Sequence, residues 1–255
     1  LSGVTALVLA GSRQGAADPM AIAAGVSHKA LLPVAGVPML QRVLTALRNS
    51  SGVGRIVVMI EAPERSLAAY PLDATVLLRP AGASPSRSVA AALEEFGTPL
   101  LVTTADHALL TPAMVARFLA DVPDGADIAA GLARAEVVLA AWPNARRTWL
   151  RFRDGRFTGC NLFWMGSARA AAVVRFWREV EQQRKKPAAM VRLLGPWILL
   201  RYVLGLLSLP AALAALGART GARLATVELP FAEAAVDVDK PADLELAEAV
   251  LARRG

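Results

Sequence analysis

Short runs of consecutive apolar, often β-branched residues alternate along the first hundred positions with stretches whose apolar residues recur every three or four places. Residues 4–10, 55–60, 74–78 and 100–104 are of the first kind and are expected as strands. Residues 38–48, 63–69 and 86–96 are of the second kind and are expected as helices, two of them opened by Pro38 and Pro63, where a missing N–H costs nothing. Strands that are apolar throughout belong to a parallel sheet covered by helices on both faces. Such sheets bind ligands beyond the carboxyl ends of their strands, which singles out the loops at 11–28, 80–85 and 105–111.

The pattern changes after about residue 130. Segments 136–142, 148–153 and 157–165 are expected as strands, the last two joined by a hairpin turn at Asp154-Gly155. A helix over 167–184 ends before Pro187, and 190–216 is the most apolar stretch of the chain. Arg192, Pro196, Arg201 and Pro210 interrupt it, whereas a spanning helix needs about 20 uninterrupted apolar residues. Two short helices broken near 208–210 are expected instead. Strands at 224–229 and 234–238 and a helix at 241–253 complete the chain, with no internal repeat and no low-complexity linker.

Composition narrows the picture. With 255 residues, 55% hydrophobic and 19% charged, the chain can bury a sizeable core and is not intrinsically disordered. One cysteine, Cys160, excludes a disulfide framework and a Cys-based metal cluster, and two histidines, His28 and His107, leave almost nothing for a His-rich zinc site. Any metal would be held by oxygen. The first residues lack a basic n-region and are expected as a core strand, not a signal peptide, so a cytoplasmic location is expected. Net charge is +7, unevenly spread: residues 134–201 hold fourteen Lys or Arg against four Asp or Glu, a local +10 that leaves −3 elsewhere. A phosphorylated substrate, an anionic membrane or nucleic acid could each meet such a region, although an Arg-rich composition, with only four Lys among 28 basic residues, also accounts for it. No reading helix or aromatic platform supports nucleic acid.

Candidate chemistry sits at the strand ends. LVLAGSRQG places a Gly-rich turn after the first strand, where backbone N–H groups approach phosphate, with Arg13 nearby; HKALLPVAGVPML then brings Lys29. These strings resemble the signature of GT-A type nucleotidyltransferases, the family that includes molybdenum-cofactor guanylyltransferases, sugar-phosphate nucleotidyltransferases and methylerythritol-phosphate cytidylyltransferases. The resemblance implies an α/β, Rossmann-like (GT-A) fold: a mostly parallel mixed sheet with helices on both faces, here with a helical insertion. It also implies that Ala10, Gly11, Ser12 and Arg13 surround the triphosphate and that Lys29 touches phosphate oxygens. Two features depart from the signature: Ser12 replaces its second glycine, and 16–27 lengthens the loop.

Three further segments are similar to the family. In GASPSRSVAAALEE, Arg87 and Ser88 fall where the family helps to read the nucleobase, Ser88 at an expected helix start. In LLVTTADHALLTP, Asp106 falls at the family's metal-binding aspartate, a carboxylate suited to Mg²⁺. In AAVDVDKPADL, Asp239 falls at the aspartate that completes the metal site. Alternation along an expected strand turns Asp237 the other way, leaving it the second choice. Between them, Asn161 loosely matches an acceptor-binding position, while Arg147, Arg151 and Arg153 alternate on one expected strand face as a phosphate-binding set would, or as charges protecting a strand edge.

The expected protein is a single nucleotidyltransferase domain: a nucleotide-binding half over 1–130, an acceptor-binding part over 131–222 with an apolar helical insert at 187–221, and a closing segment over 223–255. The expected reaction transfers NMP from an NTP, CTP or GTP, to a small phosphorylated acceptor, a sugar phosphate or lipid headgroup, with Mg²⁺ and release of pyrophosphate. Lys29, Arg13 and Asp106 are the expected catalytic residues. The competing expectation is a GT-A glycosyltransferase using a nucleotide sugar, whose D-x-D spacing recurs at 237–239. The apolar insert is expected to rest peripherally on a membrane, to form a homodimer, or to serve as a lid or ordinary core.

Overall fold

The computed structural model describes residues 3–12, 14, 17–183 and 186–254. The first half runs β1 (Val4–Leu9), α1 (Pro19–Ala23), β2 (Pro33–Val34), β3 (Val37–Pro38), α2 (Met39–Arg48), β4 (Val53–Ile60), α3 (Pro63–Ser66), β5 (Val76–Pro80), α4 (Pro85–Phe96), β6 (Leu100–Thr104) and α5 (Pro112–Asp121). The second runs β7 (Ile128–Arg134), α6 (Ala135–Ala141), β8 (Leu150–Phe152), β9 (Gly155–Met165), α7 (Ala170–Gln183), α8 (Pro187–Leu194), α9 (Pro196–Val203), α10 (Leu209–Thr220), β10 (Leu224–Glu228) and α11 (Pro241–Ala252).

Seven strands order as β10-β7-β9-β6-β1-β4-β5, with β8 hairpinned onto β9. All pairings on either side of β9 are parallel, and β9 runs antiparallel to β6, β7 and β8. Period-two alternation divides the core. Ala6 and Val8 face one side with Leu40, Val43, Leu44 and Leu47 of α2 and Met114, Val115 and Phe118 of α5. Leu7 faces the other with Val89 and Ala92 of α4 and Ala170 and Val174 of α7. Each fully buried Leu or Phe in these layers contributes about 1.5–3 kcal/mol. The expected mixed sheet with helices on both faces is the one observed.

Three expectations are corrected. Segment 136–142 is helix α6, and the strand lies one step earlier at β7; the sequence IAAGLAR looks weak for a strand, but at Gly131 a side chain would press on Leu162 and Leu229. Packing at this central position outweighs β propensity. The apolar 190–216 stretch lies in three helices, α8, α9 and α10, because Gly195, at φ +86°, separates α8 from α9 and Ser208 caps α10. Segment 234–238 is no strand: a 3-10 turn at Ala232–Ala235 leads into extended chain held by one backbone bond, Val238 N–H to the Asp106 carbonyl at 3.0 Å. That bond carries the chain across the end of β6.

Candidate active site

The carboxyl ends of β1, β4 and β6 open into a cleft of about 470 Å³. Gly11 and Ser12 of the first turn line it, as do Lys29, Glu61, Ser88, Asp106 and Asp239. Three of the loops singled out by topology therefore converge where the sheet rule places a ligand.

The expected loop between Gly11 and Lys29 contains a short helix, α1, capped by Asp18, whose Oδ1 accepts from the N–H groups of Met20 and Ala21 at 3.0 and 3.3 Å. Arg13 lies outside the described residues. His28 is buried; its Nδ1 accepts from Ala30 N at 3.0 Å, which leaves Nε2 to donate to Glu61 Oε2 at 3.0 Å. The other carboxylate oxygen of Glu61 accepts from Ser12 N at 2.9 Å. One glutamate thus fixes both ends of the Gly-rich loop, on the floor of the cleft. Neither Glu61 nor Asp18 carries a motif; Glu61 is found only by asking what ends the strand beside β1.

The loop after β5 is braced by Ser88, whose Oγ accepts from Gly82 N at 2.9 Å. A side chain at Gly82 would lie 2.9 Å from Ser88 N, so only glycine fits this approach. The helix begins earlier than expected, with Ser84 as N-cap, and Ser88 is a buried residue in its second turn. Arg87 is exposed and does not line the cleft.

Lys29, Asp106 and Asp239 form the charged centre. Lys29 Nζ donates to Asp239 Oδ1 at 2.6 Å, and the Thr104 hydroxyl donates to Asp106 Oδ1 at 2.5 Å. Burial would lower the pKa of Lys29, but the Asp239 hydrogen bond and the charges of Asp106, Asp239 and Asp18 outweigh it and raise the pKa above 10.5. Burial raises the carboxyl of Asp106, helped by the charge of Asp239 and opposed by Thr104 and Lys29. Burial acts against Asp239 too, yet Lys29 holds its carboxyl below the ordinary value. Asp239 lines the cleft and Asp237 does not; Asp237 pairs instead with Arg147 at 3.3 Å. Desolvation first, then the charges of Asp106 and Asp239, push its carboxyl up to about 6.

The arginine set is dispersed. Arg147 precedes β8 and pairs with Asp237 at 3.3 Å and Asp243 at 3.4 Å, its side chain nearly buried. Of the three, only Arg151 lies in the strand; Arg153 is in the hairpin turn, and both are exposed. Asn161, at φ +48°, sits in a bulge of β9 where the register with β7 shifts between Ala130 and Leu132. None of these four lines the cleft. Burial, and secondarily Asp237, pushes the Cys160 thiol up to about 12, so Cys160 is expected to resist iodoacetamide in the native protein at neutral pH and to react fully after denaturation. Rapid native labelling, followed by mass spectrometry, would refute this.

A mostly parallel sheet whose strand ends gather a Gly-rich turn, a lysine and two aspartates defines a nucleotide-dependent transferase. The chain belongs to the MobA-like NTP transferase domain family, whose model matches residues 6–226, and it is a nucleotidyltransferase. A hypothetical transferase from Thermus thermophilus is similar over 95% of this chain and 99% of its own, at 32% identity and a TM-score of 0.79. A CMP:2-keto-3-deoxy-manno-octonic acid synthetase complexed with CTP shares the fold at 15% identity and a TM-score of 0.59, covering 99% of this chain and 100% of that one. The 4-diphosphocytidyl-2C-methyl-D-erythritol synthase of Anaerococcus prevotii shares it at 10% identity and a TM-score of 0.60, over 98% and 96%. No curated protein matches the chain significantly.

Proposed function

We propose that the protein transfers a nucleoside monophosphate from CTP or GTP to a small phosphorylated acceptor and releases pyrophosphate. The carrying observation is the meeting of Lys29, Asp106 and Asp239 beside the Gly-rich turn. CTP appears in the name of one structural relative and a cytidyl product in another, which supports a pyrimidine donor; the resemblance of the LAGS and KALLPVAG strings to the molybdenum-cofactor guanylyltransferases supports GTP.

The chemistry is in-line displacement. An acceptor phosphate oxygen attacks the α-phosphorus, a new P–O bond forms, the bond to the β-phosphate breaks, and the electron pair leaves with pyrophosphate. Two anions must be brought together. Lys29 offsets their repulsion, and the backbone of the Gly11-Ser12 turn, braced by Glu61, positions the triphosphate. Asp106 and Asp239 meet beside Lys29 in the cleft, and carboxylates gathered at the end of a strand fit a divalent cation. Among the described residues no three His, Cys, Asp or Glu side chains are grouped so as to hold a metal ion by themselves, and Mg²⁺ is a hard cation that a pair of carboxylates can hold together with substrate oxygens. Asp106 and Asp239 would hold it, and when bound it supplies charge neutralisation across the phosphates. Asn161 in the bulge, with Arg151 and Arg153 on the hairpin, is the proposed acceptor side; Arg147 serves instead to hold Asp237 and Asp243.

Incubation with each of the four NTPs and a panel of phosphomonoesters, with pyrophosphate as readout, tests the proposal. Release is expected only with donor and acceptor together, and chelation by EDTA is expected to stop it. Turnover of a nucleotide sugar with no pyrophosphate from any NTP would overturn it.

A further inference from the structure

Among the described residues, eight large hydrophobic side chains are exposed, and five of them fall within ten positions: Trp197, Leu200, Val203, Leu204 and Leu206. A sixth, Leu150, is on β8, which adjoins this segment because Arg151 N donates to the Tyr202 hydroxyl at 3.4 Å. Positions 197, 200, 203 and 204 share one face of α9 and its C-cap, and α9 has no buried residue at all. The helix therefore turns its apolar stripe outward. Trp197 is 67% and Val203 73% exposed, values that a globular surface does not ordinarily concentrate in one place.

The surrounding charge is of one sign. From residue 182 to residue 227 the sequence contains no Asp or Glu and seven Lys or Arg. Arg192 on α8 is exposed, and Arg151 and Arg153 are exposed on the neighbouring hairpin. The hairpin's own carboxylate, Asp154, is turned to the N-terminus of α10, where it accepts from Leu209 N at 3.0 Å. Among the described residues no helix is long and apolar enough to cross a membrane. An apolar face with an exposed Trp and a basic border, too short to span, has the chemistry of a segment lying in a lipid interface.

We propose that α9 and the turn after it dock peripherally on an anionic lipid surface. A second copy of the chain is the less favoured occupant, because joining two such faces would press two carboxylate-free basic regions together. Lipid headgroup phosphates neutralise the same arginines while acyl chains receive Trp197, Val203 and Leu204. The inference does not depend on which acceptor the enzyme uses.

Cosedimentation of the full chain with phosphatidylcholine vesicles, with and without phosphatidylglycerol, tests it. Binding is expected only with the anionic vesicles and is expected to weaken as salt rises. The triple variant Trp197→Ser, Val203→Ser, Leu204→Ser should weaken it by about tenfold or more, while pyrophosphate release with soluble substrates and thermal stability stay unchanged. Arg192→Gln should lower binding at low salt and leave the apolar contribution intact. No binding at low salt, or equal binding by the triple variant, would overturn the proposal. A dimer seen by sedimentation equilibrium that the triple variant dissociates, with no vesicle binding, would assign the face to a second copy and overturn it as well.

Discussion

Replacing Asp106 with asparagine is expected to lower nucleotidyl transfer by about a thousandfold while leaving the protein at least as stable as before. Both parts follow from one geometry. Asp106 stands at the end of β6, where the Thr104 hydroxyl orients it and the extended chain at Val238 brings Asp239 alongside. Its value to catalysis is the negative charge offered to a cation among phosphates, and the amide of asparagine keeps the shape and the Thr104 bond but loses that charge. Its cost to the fold is the same charge. Burial and, after it, the charge of Asp239 raise the carboxyl above its unfolded value, so the ionised form is the one that works against folding, and stability rises as the group is protonated. Removing the charge removes that cost. Pyrophosphate release and thermal melting, measured on the same sample at neutral pH, separate the two. Transfer within tenfold of wild type would remove Asp106 from the mechanism, and a melting temperature that falls together with activity would make its role structural.

The parts of this site that were legible in the sequence are those fixed by strand order. Residues 4–10, 55–60 and 100–104 are apolar on both faces because helices cover both, and that alone places Gly11, Glu61 and Asp106 at one edge. Local patterning failed where the environment decides conformation. The Val-Val pair in α6 suggests a strand although Ala135 and Val138, three apart, are what that helix buries; the weak IAAGLAR is a strand because β9 and β10 flank it. The strand expected at 234–238 has no ladder, since the segment is tied by a single bond to Asp106, yet Asp239 lines the cleft and Asp237 does not. Arg147, Arg151 and Arg153 share a sequence period but not a strand, and Arg147 instead meets Asp237, 90 residues away, and Asp243 beyond it. Such long-range pairing of charges leaves no periodic trace. Glu61 was silent for a related reason: its function is to accept from Ser12 and His28 across 49 and 33 residues.

Replacing Lys29 with methionine is expected to cost at least about a hundredfold in kcat/KM and, unlike the Asp106 change, to destabilise the fold. Lys29 is the cation common to Asp239, Asp106 and Asp18, and without it three carboxylates repel with less compensation. Asp239 is half exposed, so solvent screening holds the stability loss to about 1 kcal/mol. The pH dependence gives the sign. A lysine whose folded pKa lies above the unfolded 10.5 contributes stability that is fully present below that value and is lost only as pH rises through the raised one. The difference in stability between wild type and Lys29→Met should therefore be constant from neutral pH to about pH 10 and should close above it. Lys29→Arg should restore most of the stability, since charge suffices there, but not the rate, since a planar fork cannot occupy the place of a compact ammonium beside the phosphates. Combining Lys29→Met with Asp106→Asn should recover stability through the coupling of the two charges and leave transfer as low as in either single variant. Full activity in Lys29→Met, or a stability difference unchanged across the alkaline range, would show that Lys29 neither carries the phosphate charge nor balances the acidic centre.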